Sequence, residues 1–133
     1  MRLMMIPIAA VALSACQTAS EPASRLAEDQ QAYDKALAGK TAGASSNCLP
    51  TYRSQDMTVI DEGTILFRDG RTVWVNNTLG RCSNLGRSGY AMVTKSFGSQ
   101  LCRGDIATVT DTQSGMMVGS CSIGEFVPYR PAP

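Results

Sequence analysis

The side chains most able to do chemistry in this sequence are its five cysteines, since the chain has no histidine. Without histidine there is no Ser-His-Asp or Cys-His catalytic group, no histidine-containing zinc site and no imidazole acid–base catalyst. The sequence also lacks the G-x-S-x-G, P-loop and G-x-G-x-x-G motifs, so we expect no cofactor. Removing Arg2 with residues 1–15 leaves the rest of the chain neutral, which gives no electrostatic reason to bind nucleic acid.

The first cysteine, Cys16, follows an apolar stretch at the N-terminus. Residues 3–13 are mostly apolar and lie behind Arg2, but they fall short of the roughly 20 residues that a membrane-spanning helix needs. Such a run is typical of a secretory signal. Its end, Leu13-Ser14-Ala15-Cys16, resembles the lipobox of bacterial lipoproteins. The resemblance implies cleavage before Cys16 and lipidation of its thiol, so we expect the mature chain to contact the membrane through this lipid.

The residue after Cys16 bears on the location of the protein. Residue 17 is Gln, whereas an Asp at this position often keeps Gram-negative lipoproteins in the inner membrane. By this resemblance we expect a lipid-anchored protein of the cell envelope, on the periplasmic face of the outer membrane.

The four remaining cysteines, Cys48, Cys82, Cys102 and Cys121, form an even set in an exported chain. That combination predicts two disulfides in an oxidising compartment. A four-cysteine zinc site is the alternative, but it normally contains closely spaced pairs such as C-x-x-C, which this sequence lacks. We therefore predict no metal site.

The pairing of these cysteines depends on the order of the strands. If the strands alternate up and down, Cys48 and Cys121 lie at the same end, which favours the pairs Cys48–Cys121 and Cys82–Cys102. The second of these bonds requires either that residues 77–89 fold back or that the fourth strand is short. The pairs Cys48–Cys102 and Cys82–Cys121 remain open as the alternative.

The segment from Cys48 onward has the pattern of a β protein. Residues 57–77 contain three β-rich runs, and Asp69-Gly70 between two of them predicts a hairpin. Further strands are predicted within residues 89–95, 105–111, 115–123 and 124–129, the last ended by Pro128. Six to seven short strands with frequent turns predict a mainly β fold, a small antiparallel barrel or sandwich.

A different composition precedes this domain. Leu26, Tyr33 and Leu37 recur at helical spacing, Ser24 is placed to cap a helix, and Gly39 is placed to end it. Residues 41–47 are small and polar, which predicts a linker. A flexible tether is the alternative to the helix. The predicted division is a signal peptide at 1–15, a lipidated N-terminus with helix and linker at 16–47, and a disulfide-bonded β domain at 48–133.

A few other side chains are candidates for a functional role. Trp74 alternates with Val73 and Val75, so it is a candidate binding residue if the valines face the core, although packing beneath a loop or helix is the alternative. Asp61 and Glu62 point to opposite faces of an extended chain, so they suit a turn better than an acid–base pair. No catalytic residue is predicted.

Three segments of the sequence resemble a known group of proteins. They are TILFRDGRTVWVNNTLGRCSNL, LCRGDIATV and GSCSIGEF, which together with Cys48 cover about residues 48–128. They resemble a family of small uncharacterised Gram-negative envelope lipoproteins with a four-cysteine β-rich domain. Ser83 and Asn84 replace the Pro and Gly common in that family, and Ile123 replaces a Leu. The resemblance implies a fold and a location, but no activity.

Three functional hypotheses follow from these observations. The first is a non-enzymatic envelope lipoprotein that acts as an interaction or structural module, with an envelope protein as its partner. The second is an inhibitor of a lysozyme or protease, with residues 77–89 as the inhibitory loop. The third is a small histidine-free enzyme that uses carboxylates such as Asp105.

Overall fold

The computed structural model describes residues 25–133, so the predicted signal peptide, Cys16 and Ser24 lie outside the described residues. The described chain begins with helix α1 (Ala27–Leu37) and has a short 3₁₀ turn at Thr51–Arg53. Its ten strands are β1 (Lys40–Ala42), β2 (Cys48–Pro50), β3 (Met57–Asp61), β4 (Thr64–Asp69), β5 (Thr72–Asn77), β6 (Tyr90–Lys95), β7 (Gln100–Cys102), β8 (Ile106–Asp111), β9 (Met117–Ser122) and β10 (Phe126–Pro131).

The strands form three antiparallel sheets. The central sheet has the order β1-β10-β5-β4-β3, β2 pairs with β7, and the third sheet has the order β6-β8-β9. The predicted mainly β fold is therefore confirmed. No sheet within residues 25–133 closes into a barrel, so the sandwich alternative is the one that fits.

The seven predicted strands correspond to β3, β4, β5, β6, β8, β9 and β10. The predicted hairpin at Asp69-Gly70 joins β4 to β5. Gly70 has a φ of +58°, which suits the first central position of a two-residue hairpin turn. The structure adds β1, β2 and β7, which have three residues each. A three-residue strand is too short to show an alternating pattern, so sequence analysis missed them.

Strands β1 and β10 differ from the sequence expectation. Residues 40–42, part of which was predicted to be linker, pair with β10 at the edge of the central sheet. Strand β10 does not end at Pro128 but continues to Pro131. Pro128 is tolerated because the neighbouring strand β1 ends at Ala42. Beyond that end, the Pro128 carbonyl still accepts a hydrogen bond from the Gly43 N–H, at 2.7 Å. A proline cannot donate to a ladder, so it fits where the neighbouring strand stops.

Both faces of the central sheet are covered. One face packs against the two smaller sheets and contributes Ile65, Phe67, Trp74 and Phe126 to the main core. The other face carries a second buried cluster, Ile60, Leu66, Val73 and Val75, against which α1 packs. Neighbouring residues of β4 and β5 thus enter different cores, because side chains alternate across a strand.

Helix α1 covers the second cluster with Tyr33, Ala36 and Leu37. The helix is present and ends where Gly39 adopts a φ of +70°, as predicted. The helical spacing places Leu26 on one helical face with Tyr33 and Leu37, but Leu26 instead precedes the helix as its N-cap and is 65% exposed.

The disulfides join Cys48 to Cys102 and Cys82 to Cys121. The favoured pairing from the sequence is therefore wrong, and the alternative is the one observed. The strands do not simply alternate up and down, because β7 lies between β6 and β8 in the chain but pairs with β2 and not with the third sheet. This pairing places Cys48 directly opposite Cys102. The Cα atoms are 4.0 Å apart in this pair and 5.0 Å apart in Cys82–Cys121.

Candidate functional site

A cleft in the described residues lies along the outer edge of the central sheet, beside β3. It has a volume of about 590 Å³. We call it the β3 groove. Its lining consists of Arg25, Leu26, Glu28, Asp29, Val59, Ile60, Asp61, Glu62, Arg81, Leu85, Gly86 and Arg87. Three segments thus form it: the start of α1, the end of β3 and the loop that follows β5.

The floor of the β3 groove is an open strand edge. Strand β3 pairs only with β4, so its other side has no neighbouring strand in residues 25–133. Arg68 donates to the Asp56 carbonyl at 2.8 Å, and Met57 and Val59 lie opposite Phe67 and Ile65. Because hydrogen-bonded and non-hydrogen-bonded pairs alternate in an antiparallel ladder, the backbone N–H and C=O groups of Met57 and Val59 point away from β4.

Arg25 fixes the helical wall of the β3 groove. Its guanidinium donates to Asp61 Oδ2 at 2.7 Å and to Thr64 Oγ1 at 2.8 Å, and it lies 4.4 Å from the centre of the Tyr33 ring. Asp61 Oδ1 accepts a further bond from the Gly63 N–H at 2.8 Å. These contacts hold the start of α1 against the end of β3.

Glu62 fixes the opposite wall. Its carboxylate accepts bonds from the Asn84 N–H at 2.9 Å and from Arg81 Nη2 at 3.3 Å. The buried Cys82 and Leu85 anchor the same loop in the main core. Residues 81–87, within the predicted inhibitory loop, are therefore packed against the sheet.

Gly86 allows this loop to approach the strand closely. Its φ is +81°, and a Cβ at this position would lie 2.9 Å from Val59 Cγ1. Any other residue would strain the backbone and push the loop away from β3. The loop therefore reaches the floor of the groove only because residue 86 is glycine.

The pKa values of the two groove carboxyls follow from these contacts. Burial raises the pKa of Asp61, but the hydrogen bonds from Arg25 and Gly63 outweigh it, and the net pKa is lowered. The Asn84 N–H lowers the pKa of Glu62, burial opposes this, and Arg81 lowers it further. Both groups are thus held as carboxylates.

On the covered face of α1, burial and a hydrogen bond with Tyr129 raise the pKa of Tyr33 to about 12.

The remaining charges of the groove differ between its walls. Glu28 and Asp29 lie in the first turn of α1, and Arg87 lies on the loop. Within residues 25–133, none of the three forms an ion pair. The groove therefore presents free acidic groups on one wall and a free basic group on the other, with the exposed Leu26 between the helix and the strand edge.

The binding candidate from the sequence, Trp74, lies elsewhere. Of the two alternatives for Trp74, a surface binding residue and a packed one, the structure shows the packed one, since Trp74 is 7% exposed and belongs to the main core. The valines beside it face α1, so both faces of β5 are buried. Its indole Nε1 has no hydrogen-bond partner among the described residues.

Asp105, the carboxylate considered for an enzyme, has a local bond. Its Oδ2 accepts from the Cys102 N–H at 2.8 Å and closes the turn after β7. In the described part of the chain, no three His, Cys, Asp or Glu side chains are grouped so that they could hold a metal ion. The one helix there is too short and polar to cross a membrane.

Comparison with protein-family models, with curated proteins and with solved structures finds no match for this chain.

Sequence analysis did not find the β3 groove. Its residues come from positions 25–29, 59–62 and 81–87, and no local motif links these segments. Two signals were present, an unexplained cluster of charges around Glu28 and two arginines near Cys82, Arg81 and Arg87. Both became meaningful only when the fold placed them on either side of β3.

Proposed function

We propose that this protein is a lipid-anchored, non-enzymatic module of the bacterial cell envelope that binds a partner through the β3 groove. The observation that carries the proposal is the groove itself, which combines an open strand edge, unpaired charges of both signs and an exposed leucine. Clefts that mix apolar surface with a few oriented polar groups are typical of binding sites.

The chemistry of the groove supports binding over catalysis. Asp61 and Glu62 already use their oxygens to hold the two walls. Glu28 is exposed to solvent at the start of α1, where water screens its charge. Exposed charges of this kind favour recognition and orientation of a partner.

The covalent framework supports the proposed location. Disulfides persist in oxidising compartments such as the periplasm, and two are present. With a lipid on Cys16, the start of the groove at Arg25 would lie within about 30 Å of the membrane surface, the length of a fully extended chain between those residues. The proposed partner is therefore a protein at or near the membrane.

A photocrosslinking experiment tests the role of the groove. A photoreactive phenylalanine analogue replaces Leu26 in one variant and Phe97 in the other. Phe97 is 98% exposed and lies beyond the far end of β6, roughly 20 Å along the strand from the loop. Irradiation of whole cells should give a crosslinked adduct of defined mass from position 26 and none from position 97. An adduct from position 97 alone would place the binding surface elsewhere.

The lipid anchor is tested separately. The Cys16→Ala variant should appear as an uncleaved or a soluble periplasmic form, because it lacks the thiol that lipidation requires. Fractionation and intact-mass measurement decide this. If the variant still sediments with membranes at the mature mass of the wild type, the lipid anchor is wrong.

A further inference from the structure

We infer that the β3 groove binds an extended peptide segment as an added strand, in which acidic and basic side chains alternate. The inference rests on the proposed function and names the partner's chemistry. Its first support is the open edge of β3, where the backbone groups of Met57 and Val59 point away from β4 and Val59 lines the groove. An extended peptide laid along such an edge gains main-chain hydrogen bonds that a folded surface or a small ion cannot offer.

The second support is the position of the two walls relative to the strand. Ile60 belongs to the cluster beneath α1, whereas Val59 packs against the main core, on the same side as Leu85. The start of α1 and the loop therefore lie on opposite faces of the sheet, with the β3 edge between them. A strand added to β3 would point its side chains alternately at the two walls.

The charges of the walls then set the sequence of the peptide. Side chains directed at the loop meet Arg87, which forms no ion pair within residues 25–133 and favours Asp or Glu, whereas Arg81 beside it is already paired with Glu62. Side chains directed at α1 meet Glu28 and Asp29, which favour Lys or Arg. Acidic and basic residues at alternate positions satisfy both walls at once, and electrostatic complementarity of this kind fixes register and selects partners.

The same reasoning disfavours a second copy of β3 as the occupant. Strand β3 has the sequence Met-Thr-Val-Ile-Asp. Paired with itself, it would place Met57 and Val59 near the arginines and Thr58 near the acidic wall. These contacts leave the charges of the groove unpaired, which costs free energy wherever they lose water.

The test uses two synthetic peptides with the same composition and the full-length, lipidated protein in detergent. In the first peptide, eight residues long and blocked at both ends, Glu and Lys alternate. In the second, the order is Glu-Glu-Lys-Lys, repeated. When extended, the first peptide carries only acidic side chains on one face and only basic side chains on the other. The second peptide carries both acidic and basic side chains on each face. We expect the alternating peptide to bind at least about tenfold more tightly, which corresponds to about 1.4 kcal/mol.

Hydrogen exchange reports the mode of binding. The alternating peptide should slow exchange of the Met57 and Val59 amides, because these become hydrogen-bonded in an added strand. A peptide that carries N-methyl groups on alternate amides should lose both affinity and protection in one of the two methylation registers. Binding without slowed exchange at these two residues contradicts strand addition.

Charge reversal tests the walls. Arg87→Glu should weaken the alternating peptide about tenfold or more, whereas Arg71→Glu, the same change in the exposed β4–β5 turn, should have little effect. Raised salt should weaken binding, since the contacts lie near the surface.

Each alternative outcome overturns the inference in its own way. Equal affinity for the two peptides shows that alternation is not recognised. Failure of both peptides to bind shows that the groove does not accept such a strand, and slowed exchange that depends on protein concentration alone indicates self-pairing of β3. Each of these results leaves the proposed function standing if the photoreactive residue at position 26 still crosslinks a partner in cells.

Discussion

The two faces of the central sheet are covered in different ways. One face packs on two smaller sheets through a core that includes Cys82 and Cys121, which form a disulfide. The other face is covered by α1, which packs on it through partly buried residues and has no fully buried residue of its own. The first face is covered by strands, and the Cys82–Cys121 disulfide links one of them, β9, to the loop after β5. The second is closed by one helix, whose start is held by the bonds from Arg25 to Asp61 and Thr64.

This difference suggests a division of roles. We expect the disulfide-linked face to contribute most of the stability, and the helical face, which forms a wall of the β3 groove, to move without unfolding of the sheets. Regions that bind partners are commonly among the less stable parts of a protein. Three predictions test this comparison.

Removal of the disulfides should have the largest effect. The crosslinked cysteines are 54 positions apart in Cys48–Cys102 and 39 in Cys82–Cys121, so each bond contributes about 4 kcal/mol in the chain-entropy model. Cys82→Ala with Cys121→Ala also removes buried sulfur from the core, and should cost about 1 kcal/mol more than Cys48→Ala with Cys102→Ala.

Urea unfolding of the two double variants checks this order, after peptide mapping under non-reducing conditions establishes the two bonds. Cys48 and Cys102 are half-buried, so their loss leaves little cavity. If their removal proves the more damaging, the main core does not dominate stability.

Truncation of two neighbouring residues of β4 compares the faces directly. Ile65 is 0% exposed in the main core, and Leu66 is 3% exposed beneath α1. Ile65→Ala should lower the free energy of unfolding by about 4 kcal/mol and Leu66→Ala by about 2 kcal/mol, because α1 can move into the space left by Leu66. Chemical denaturation measures both, and equal losses would show that the helical face is as rigid as the other.

The smallest expected effect concerns pH and the attachment of α1. The folded pKa of Asp61 is lowered, so its stabilising contribution is present above its unfolded value, about 3.9, and is lost as the pH falls through the folded pKa. Asp61→Asn should therefore reduce stability at neutral pH by less than about 1 kcal/mol, and the difference from the wild type should shrink below about pH 4.

Thermal unfolding between pH 3 and 7 measures this effect. Asp29→Asn is the matched control, because the Asp29 carboxylate has no hydrogen bond within residues 25–133. Were the Asp61 difference constant across this range, the Arg25–Asp61 bond would not be what fastens the helix.

The sequence by itself determined the local features of this protein. Seven strands, the hairpin at Gly70 and the helix end at Gly39 follow from side-chain alternation, helical spacing and glycine conformation, which act between residues close in the chain. The presence of two disulfides follows from the four widely spaced cysteines that remain when Cys16 is set aside. These properties require no knowledge of which segments meet.

The tertiary structure decided which segments meet. Strand β7 pairs with β2, which sets the disulfide partners, and β10 returns beside β5, which buries Trp74. Asn76 is fully buried and bonded to the backbone of Gly124, a contact no local pattern indicates. The β3 groove has the same origin, since its walls come from distant segments. Strand order is set by the collective burial of apolar surface over the whole domain, and that sum cannot be read from any single stretch of sequence.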